Sequence, residues 1–599
     1  MCGVCGATGR DDAARAYVAD AASLLRHRGP DGESYSAEPY AFLGHTRLAI
    51  IDIAGGAQPF VSRDGRFSVV YNGEIYNHKS LRRTLDLECT ACDGAVLPAL
   101  WARFGTSSLD LLRGMFAICV SDRQDGTLTL AVDPLGLKPL YWCRAGDGSL
   151  RFASEMLAVA RSLPSVTIDR PALSAYLDTG RFPLGSSGVS EIRRMLPGEW
   201  LRFSADGALV GRGQARIPIT QGPSTWKAVV DEFIRSVELH LEADVPTGLM
   251  LSSGVDSAAI AWAASQLDMR VESFTVAMSG TNPESELACR IARRFGHAHT
   301  VLAADPDQAL VDDFLQSIDR PTTDGLNTFL VCRAAARAGL KVILAGTGGD
   351  ELLLGYPHHL RATRVDWPRR PSSHVSRAAA RTLATLPLPR GRARARRYGE
   401  YGAPRSCEDV VRLARAAIPP SLRTRLLQAQ PLPDPTGTPV QALVDGTAAS
   451  RVTAAEFDQY LMPMLLADAD TFSMANSVEE RTPLVDAGFV SAIAALPQRQ
   501  VGKGDFVAET ADPELMAALT RPKVGFVLPM NQWMRSGPLA PSVQGAFGER
   551  SQVRGLLDRR ALEAVHRQWL SGRSAWQSPW AIVVLDRWLE KIADVTAWQ

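Results

Sequence analysis

The chain has 599 residues with 65 Lys and Arg against 64 Asp and Glu, a formal net charge of +1, 46% hydrophobic and 22% charged residues. That length provides for two or more domains with substantial cores, and the balanced charge gives no global field to recruit nucleic acid or an anionic membrane. No apolar run approaches the roughly 18 residues that span a bilayer, the amino terminus lacks the pattern of a signal peptide, and nine cysteines in so long a chain build no disulfide framework, so the expected setting is cytoplasmic.

At the start, Met1 precedes Cys2 and a small Gly3, a context in which the initiator is normally excised to leave a cysteine with both a thiol and a free α-amine. With an amine pKa near 7.7 to 8.0, roughly a tenth is unprotonated at pH 7 and can accept the thiol proton, so one residue can be nucleophile and base. Cys2/Cys5 and Cys89/Cys92 make two Cys-x-x-Cys pairs. They read either as a four-thiolate zinc site or as unrelated residues, with Cys89 and Cys119 as small core side chains. A separation of roughly 80 residues, against about 20 in zinc ribbons, favours the second.

Helical spacing over 13–25 and 96–104 accompanies a strand-rich stretch from Ala41 to about Ser154, with runs at 41–45, 67–71, 115–120, 128–132 and 150–153. Sheets covered by helices follow from that pattern. Residues 204–224 read as a linker with some strand before it, and a helix begins near Ser224, apolar at Val229, Val230, Phe233, Ile234 and Val237. Next comes an apolar strand ending in Leu251-Ser252-Ser253-Gly254-Val255-Asp256-Ser257 and opening a helix. Small residues there let N–H groups crowd around an anion at the helix N-terminus, a phosphate cradle. It is neither the Walker loop nor the Gly-x-Gly-x-x-Gly of dinucleotide sites. A plain small-residue turn is the competing reading.

Strands at 271–276, 299–302 and 341–345 then alternate with helices at 284–295 and 327–338, which implies a parallel, doubly wound sheet with ligands at the carboxyl ends of its strands. The last strand opens into Gly346-Thr347-Gly348-Gly349-Asp350-Glu351. Small residues followed by two carboxylates suit Mg²⁺ held against phosphate oxygens, or a charge pair at a helix N-terminus. An arginine-rich run between 361 and 398 reads as a solvated insertion or as a surface for RNA, a carrier or a peptide.

Taken in order, Cys2-Gly3-Val4, His27-Arg28-Gly29-Pro30-Asp31, Arg47 to Asp52, Tyr71-Asn72-Gly73-Glu74-Ile75-Tyr76-Asn77 and Asp133 to Tyr141 resemble the motifs of class II glutamine amidotransferases, in the version of the asparagine synthetase family. The Ser-x-Gly-x-Asp-Ser of the cradle resembles the pyrophosphate loop of ATP-pyrophosphatases, and the resemblance covers nearly the whole chain. It implies an α/β and α+β molecule. Residues 2–213 would form an N-terminal-nucleophile α-β-β-α sandwich acting as a glutaminase. Residues 224–599 would form an ATP-dependent amide-forming domain, a doubly wound parallel-sheet nucleotide-binding unit with a helical C-terminal part.

Position by position, the resemblance makes Cys2 the nucleophile on glutamine, Asn72 and Gly73 the oxyanion donors, Arg47 the partner of the glutamine carboxylate, and Glu74 with Asp93 that of its ammonium group. The family's usual Ser-Asp-Thr-Glu is Cys92-Asp93-Gly94-Ala95 here, which keeps Asp93. ATP would meet Leu251 to Ser257, Val276, Ala345 and Gly346, with Mg²⁺ held by Asp256, Asp350 and Glu351. Ser473 to Asp486 resembles the helix and loop that close the synthetase site. Arg521-Pro522-Lys523-Val524-Gly525-Phe526 resembles the segment whose lysine neutralises the adenylate and departing pyrophosphate, so Lys523 is the choice and Lys503 the rival.

Ammonia would pass inside the protein to an acyl-adenylate. Thr347 stands where aspartate-using members of the family carry a glutamate proposed as a base and β-lactam-forming relatives a tyrosine, which leaves three acceptors open. These are free aspartate, a specialised carboxylate on a small molecule, carrier or peptide, and an internal carboxylate; the intact Cys2 constellation argues against the last. Expected partners are glutamine, ATP and the carboxylate, with a carrier or peptide and a homodimer left open, and neither nucleic acid nor membrane.

Overall fold

The computed structural model describes residues 2–599 apart from 88–89, 218–223, 279–282, 305, 364–403, 405, 436, 441–445, 497–501 and 522–527. Among the described residues, thirteen strands precede residue 215: β1 (Cys2–Thr8), β2 (Gly32–Ala37), β3 (Ala41–Arg47), β4 (Phe60–Val61), β5 (Phe67–Ile75), β6 (Gly114–Asp122), β7 (Thr127–Val132), β8 (Tyr141–Arg144), β9 (Leu150–Ala153), β10 (Ser165–Val166), β11 (Arg193–Arg194), β12 (Glu199–Phe203) and β13 (Leu209–Gln214). One sheet runs β11-β8-β9-β1-β3-β2 and a second β13-β12-β7-β6-β5-β4.

Alternation along each strand decides which way the side chains point. Val4, Leu43, Val70, Ala117, Cys119 and Leu130 fill the space between the two sheets. Cys5 and Ala7 face the other way, against Ala14, Val18 and Ala21 of the helix Asp12–Leu24, which Asp11 caps by accepting from the Ala14 N–H. On the far side, Val69, Tyr71, Phe116 and Ile118 pack on the helix Leu97–Phe104. The layers are thus α-β-β-α. Cys119 is a core residue. The expected linker at 204–224 needs correction, because residues 209–214 form the edge strand β13 on β12 across a turn at Gly207 (φ 76°). That strand is exposed and carries Gly211 and Gly213, so no apolar alternation marked it.

Beyond it the helix Trp226–His240, capped by Thr225, leads to β14 (Thr247–Met250), β15 (Glu272–Ala277), β16 (Ala298–Ala303), β17 (Val342–Leu344) and β18 (Glu479–Arg481), all parallel in the order β16-β15-β14-β17-β18. The chain winds outward from β14 through β15 to β16, then returns to β17 on the other flank of β14. That reversal is a topological switch point, where a crevice opens at the carboxyl ends of β14 and β17. The rest of the described residues are largely helical, ending in Gln577–Val595 and in β19 (Ala597–Trp598), which pairs with β10 of the first half. No helix among the described residues is long and apolar enough to cross a membrane.

One carboxylate organises the loop after β7. Buried Asp133 accepts the N–H groups of Phe116, Leu135, Leu137 and Lys138 at 3.0–3.1 Å, which fixes the turn that carries Lys138 into the interior. Asp133→Ala leaves four donors, three of them buried, without an acceptor; at about 1 kcal/mol or more for each buried one, a stability loss on the order of 3 kcal/mol is expected in urea unfolding, and a smaller one for Asp133→Asn.

Candidate active sites

The first site lies at the start of β1. Cys2 pairs with Arg47 of β3, so the two side chains stand on the same face of the sheet. The Cys2 N–H donates to Asn72 Oδ1 at 2.9 Å across the sandwich. Among the described residues, the Nδ2 of the same amide is buried with no hydrogen-bond partner, which costs about 1–3 kcal/mol unless something occupies the position it faces. Gly73 has φ 149°, and a Cβ there would come within 1.9 Å of the Met115 carbonyl oxygen, so only glycine fits. Burial pushes the Cys2 thiol up, and Glu479 adds to that, while the amino terminus, the Leu48 N–H and Arg47 pull it down.

The Arg47 guanidinium donates to the Ile53 and Asp52 carbonyls, each at 2.7 Å, and so holds the loop after β3. Asp93 accepts from the Tyr71 hydroxyl at 2.5 Å and the Ile75 N–H at 2.8 Å. Glu74 receives Arg481 at 3.1 Å; burial first and then Asp93 push its carboxyl well above the usual range, with Arg481 opposing. Two buried carboxylates this close suit a cation. Cys5 points to the opposite face from Cys2 and donates to the Val18 carbonyl, so these two thiols form no chelate, and Cys89 lies outside the described residues.

The second site occupies the switch-point crevice. A cavity of about 420 Å³ is walled by the cradle, Leu251 to Ser257, together with Val276, Gly346, Thr347, Asp350 and Lys503. Ser257 Oγ accepts the Ser252 N–H and Ser252 Oγ the Gly254 N–H, which shapes the loop before the helix Val255–Gln266. Lys503 Nζ donates to Asp256 at 2.8 Å and to Asp350; burial depresses its pKa, and the two carboxylates more than reverse that. Lys503 therefore reaches the cradle, whereas Lys523 lies outside the described residues. Ala345 stands behind the wall, its N–H joined to the Arg481 carbonyl. Glu351 turns to the Tyr356 hydroxyl at 2.7 Å, and burial, with Asp350 adding and Tyr356 opposing, pushes it up to about 7.

Sequence reasoning missed the residues that join the sites. Residues 479–481, expected in a closing helix and loop, form a buried strand, because Arg481 is paired with Glu479 and Glu74 while Glu480 is hydrogen-bonded to Thr347 instead of solvated. Arg481 and Glu479 reach the Cys2 side, and Glu480 accepts the Thr347 hydroxyl at 3.3 Å on the cavity side. Arg28 donates to the Cys2 carbonyl at 3.2 Å and to Asp470 at 2.8 Å, and Lys138 also reaches Asp470. The arginine-rich run lies outside the described residues beyond Thr363.

A glutamine amidotransferase domain model matches residues 1–212 and an asparagine synthase model residues 228–590. A Mycobacterium tuberculosis protein with a provisional name of glutamine-hydrolysing asparagine synthetase is 31% identical, over 95% of this chain and 93% of its own length. The glutamine-hydrolysing asparagine synthetase 1 of Bacillus subtilis is 26% identical, over 90% and 88%. Among solved structures, a glutamine phosphoribosylpyrophosphate amidotransferase from B. subtilis matches at 16% identity and a TM-score of 0.28, covering 60% of this chain and 77% of its own.

Apart from the carboxylates of the cavity, His358, His359 and Glu456 bring potential metal ligands within 4.8 Å of one another. His359 Nδ1 accepts the Tyr356 N–H at 3.2 Å, so its Nε2 carries the proton and donates to Glu456 at 2.9 Å. A metal on Nε2 would force a proton onto Nδ1, against that N–H. The trio is a hydrogen-bonded core, and prolonged chelation is expected to leave the melting temperature of the apoprotein unchanged; a drop of several degrees, reversed by zinc, would show otherwise.

Proposed function

This chain belongs to the glutamine-hydrolysing asparagine synthetase family, and from that premise we propose that it hydrolyses glutamine at Cys2 and amidates the side-chain carboxylate of aspartate at the cradle, yielding asparagine, AMP and pyrophosphate. It is a carbon–nitrogen ligase with glutamine as amide donor, and its synthetase half uses ATP. The observation that carries the glutaminase assignment is the Asn72 amide, with Oδ1 on the Cys2 nitrogen and Nδ2 a buried donor that has no partner among the described residues. Once Met1 is removed, that nitrogen is the α-amine that takes the thiol proton. Nδ2, with Gly73 beside it, then meets the oxyanion that forms when sulfur attacks the carboxamide. Arg47 would leave its loop carbonyls for the substrate carboxylate, and Glu74 with Asp93 would receive its ammonium.

In this reading 2–213 is the glutaminase unit and 224–599 the synthetase unit. ATP lies along the cradle, with Val276 and the 345–346 turn beside it. Asp256 and Asp350 already share one cation, the Lys503 ammonium, which fits the demand of Mg²⁺ for one or two carboxylates plus phosphate oxygens, with Glu351 in reserve behind them. When bound, Mg²⁺ neutralises charge on the phosphates. Lys503, displaced from the carboxylates, reaches the leaving pyrophosphate, a role that Lys523 shares or takes.

Cys2→Ala is expected to abolish glutamine-dependent synthesis and keep ammonia-dependent synthesis; glutaminase activity surviving in that variant would refute the nucleophile. Asn72→Ala should lower the glutaminase kcat about 10²- to 10³-fold with little change in KM. The acceptor is tested by pyrophosphate release from Mg²⁺-ATP with glutamine, with and without aspartate. Aspartate-dependent release with asparagine appearing supports aspartate. Release independent of aspartate, with glutamine hydrolysis intact, would instead favour a specialised carboxylate, the reading that Thr347 motivates.

A further inference from the structure

We propose that Thr347 and Glu480 together form the proton acceptor of the amide-forming step, the Thr347 hydroxyl taking a proton from the attacking nitrogen while passing its own to Glu480. The inference rests on the synthetase reading above and adds to it a relay between a loop and a strand. Thr347 walls the cavity just past the end of β17, and its Oγ1–H donates to Glu480 Oε1 at 3.3 Å. With that hydrogen turned toward the strand, the lone pairs of Oγ1 are left for the cavity. Glu480 stands on β18, level with Ile343 of β17.

Among the described residues, the groups facing Glu480 are few. Lys138 approaches from the loop after β7 while bound to Asp470, and Cys332 comes from the helix Leu326–Arg337, its thiol pushed well up by burial and by Glu480. Glu479 and Arg481, one residue away on either side, point to the opposite face. Burial pushes the Glu480 carboxyl up to about 7, against the Thr347 hydrogen bond and Lys138. A group half ionised at neutral pH is well matched to accept and release a proton in turnover.

The step balances without a further reactant. The ammonia lone pair attacks the acyl carbon and forms the C–N bond, which leaves a positive nitrogen. One N–H proton goes to Thr347 Oγ1 as the threonine hydrogen goes to the Glu480 carboxylate. The C–O bond to AMP breaks, its electron pair leaving on the phosphate oxygen, and Glu480 returns its proton to water.

The test uses the full chain with Mg²⁺-ATP, L-aspartate and ammonium chloride, which bypasses glutamine hydrolysis. Glu480→Gln should keep aspartate-dependent ATP–pyrophosphate exchange and the KM for ATP while losing about 10²- to 10⁴-fold in amide formation. At constant free ammonia, wild-type amide formation should fall about tenfold per pH unit below about pH 7, as the carboxylate protonates. That fall should vanish in Glu480→Gln; Thr347→Val should match Glu480→Gln, and Thr347→Ser should restore most activity. Wild-type rates or an unchanged pH profile in Glu480→Gln overturn the proposal, as does loss of the exchange reaction together with synthesis. If the wild type amidates no aspartate, the acceptor reading fails by itself, and the relay is judged by infrared titration without substrate. A carboxyl band that titrates near 7, is absent in Glu480→Gln and is shifted in Thr347→Val supports it; titration near the ordinary carboxylate value of about 4.3 overturns it.

Discussion

A guanidinium taken wholly out of water must find partners on every side, and Arg481 finds them in both halves of the chain. Glu479 is 2.6 Å away on its own strand, Glu74 3.1 Å away in β5, and the His240 and Glu242 carbonyls lie at 2.8 and 2.6 Å. Burial disfavours the charge, and the two carboxylates more than restore it. Such a set adds little net stability compared with an apolar core, but removing one partner costs about 3–5 kcal/mol, because a charge is then stranded. The two halves are therefore held in one relation at this point. Arg28, between the Cys2 carbonyl and Asp470, and Arg113, gripping Asp486 at 2.6 and 3.0 Å, hold them in two more.

The strand that carries Arg481 does more than join surfaces. Successive side chains on a strand point to opposite faces, so three residues divide their work. Glu479 and Arg481 turn to the site around Cys2, and Glu480 turns to Thr347 and the cavity. Because β18 is hydrogen-bonded to β17, whose loop carries Thr347 and Asp350, a shift of this strand would be felt in both sites. The pairing of Arg481 with Glu479 and Glu74, and the Thr347 hydrogen bond to Glu480, account for the placement, since hydrophobic packing alone would not select three charged residues for a buried strand.

Much of this was legible in the chain. The helices at 12–24, 97–104, 226–240, 283–294 and 326–337, and most strands of both halves, announced themselves by local periodicity, and the cradle did so by its small residues. What was not legible lay in two kinds of place. Strand β13 is an exposed edge with two glycines, so no buried face imposed a pattern on it. Strand β18 is buried but ionic, so the usual apolar sign is inverted. The pairing of Thr347 with Glu480 joins positions 133 residues apart, and no spacing rule reaches across such a gap. Lys503 was only a rival by motif, yet among the described residues it is the lysine that meets Asp256 and Asp350, because the N-terminal end of its helix is carried into the crevice by the fold and not by neighbouring sequence.

The Thr347–Glu480 contact also changes what Thr347 says about the acceptor. Alone in the sequence, a threonine at that loop position removes a carboxylate from the cavity wall and so weighs against the aspartate chemistry of the family. In the folded chain, a carboxylate stands directly behind it, on a strand whose register fixes its position more firmly than a loop could. If the proton acceptor has moved from the loop to the strand, the loss at 347 removes bulk from the wall without removing the base. The position then reports on the space available to the acceptor and not on the type of reaction. An acceptor larger than aspartate and aspartate itself are both chemically served by the same pair, and discrimination between them falls to the other walls of the cavity.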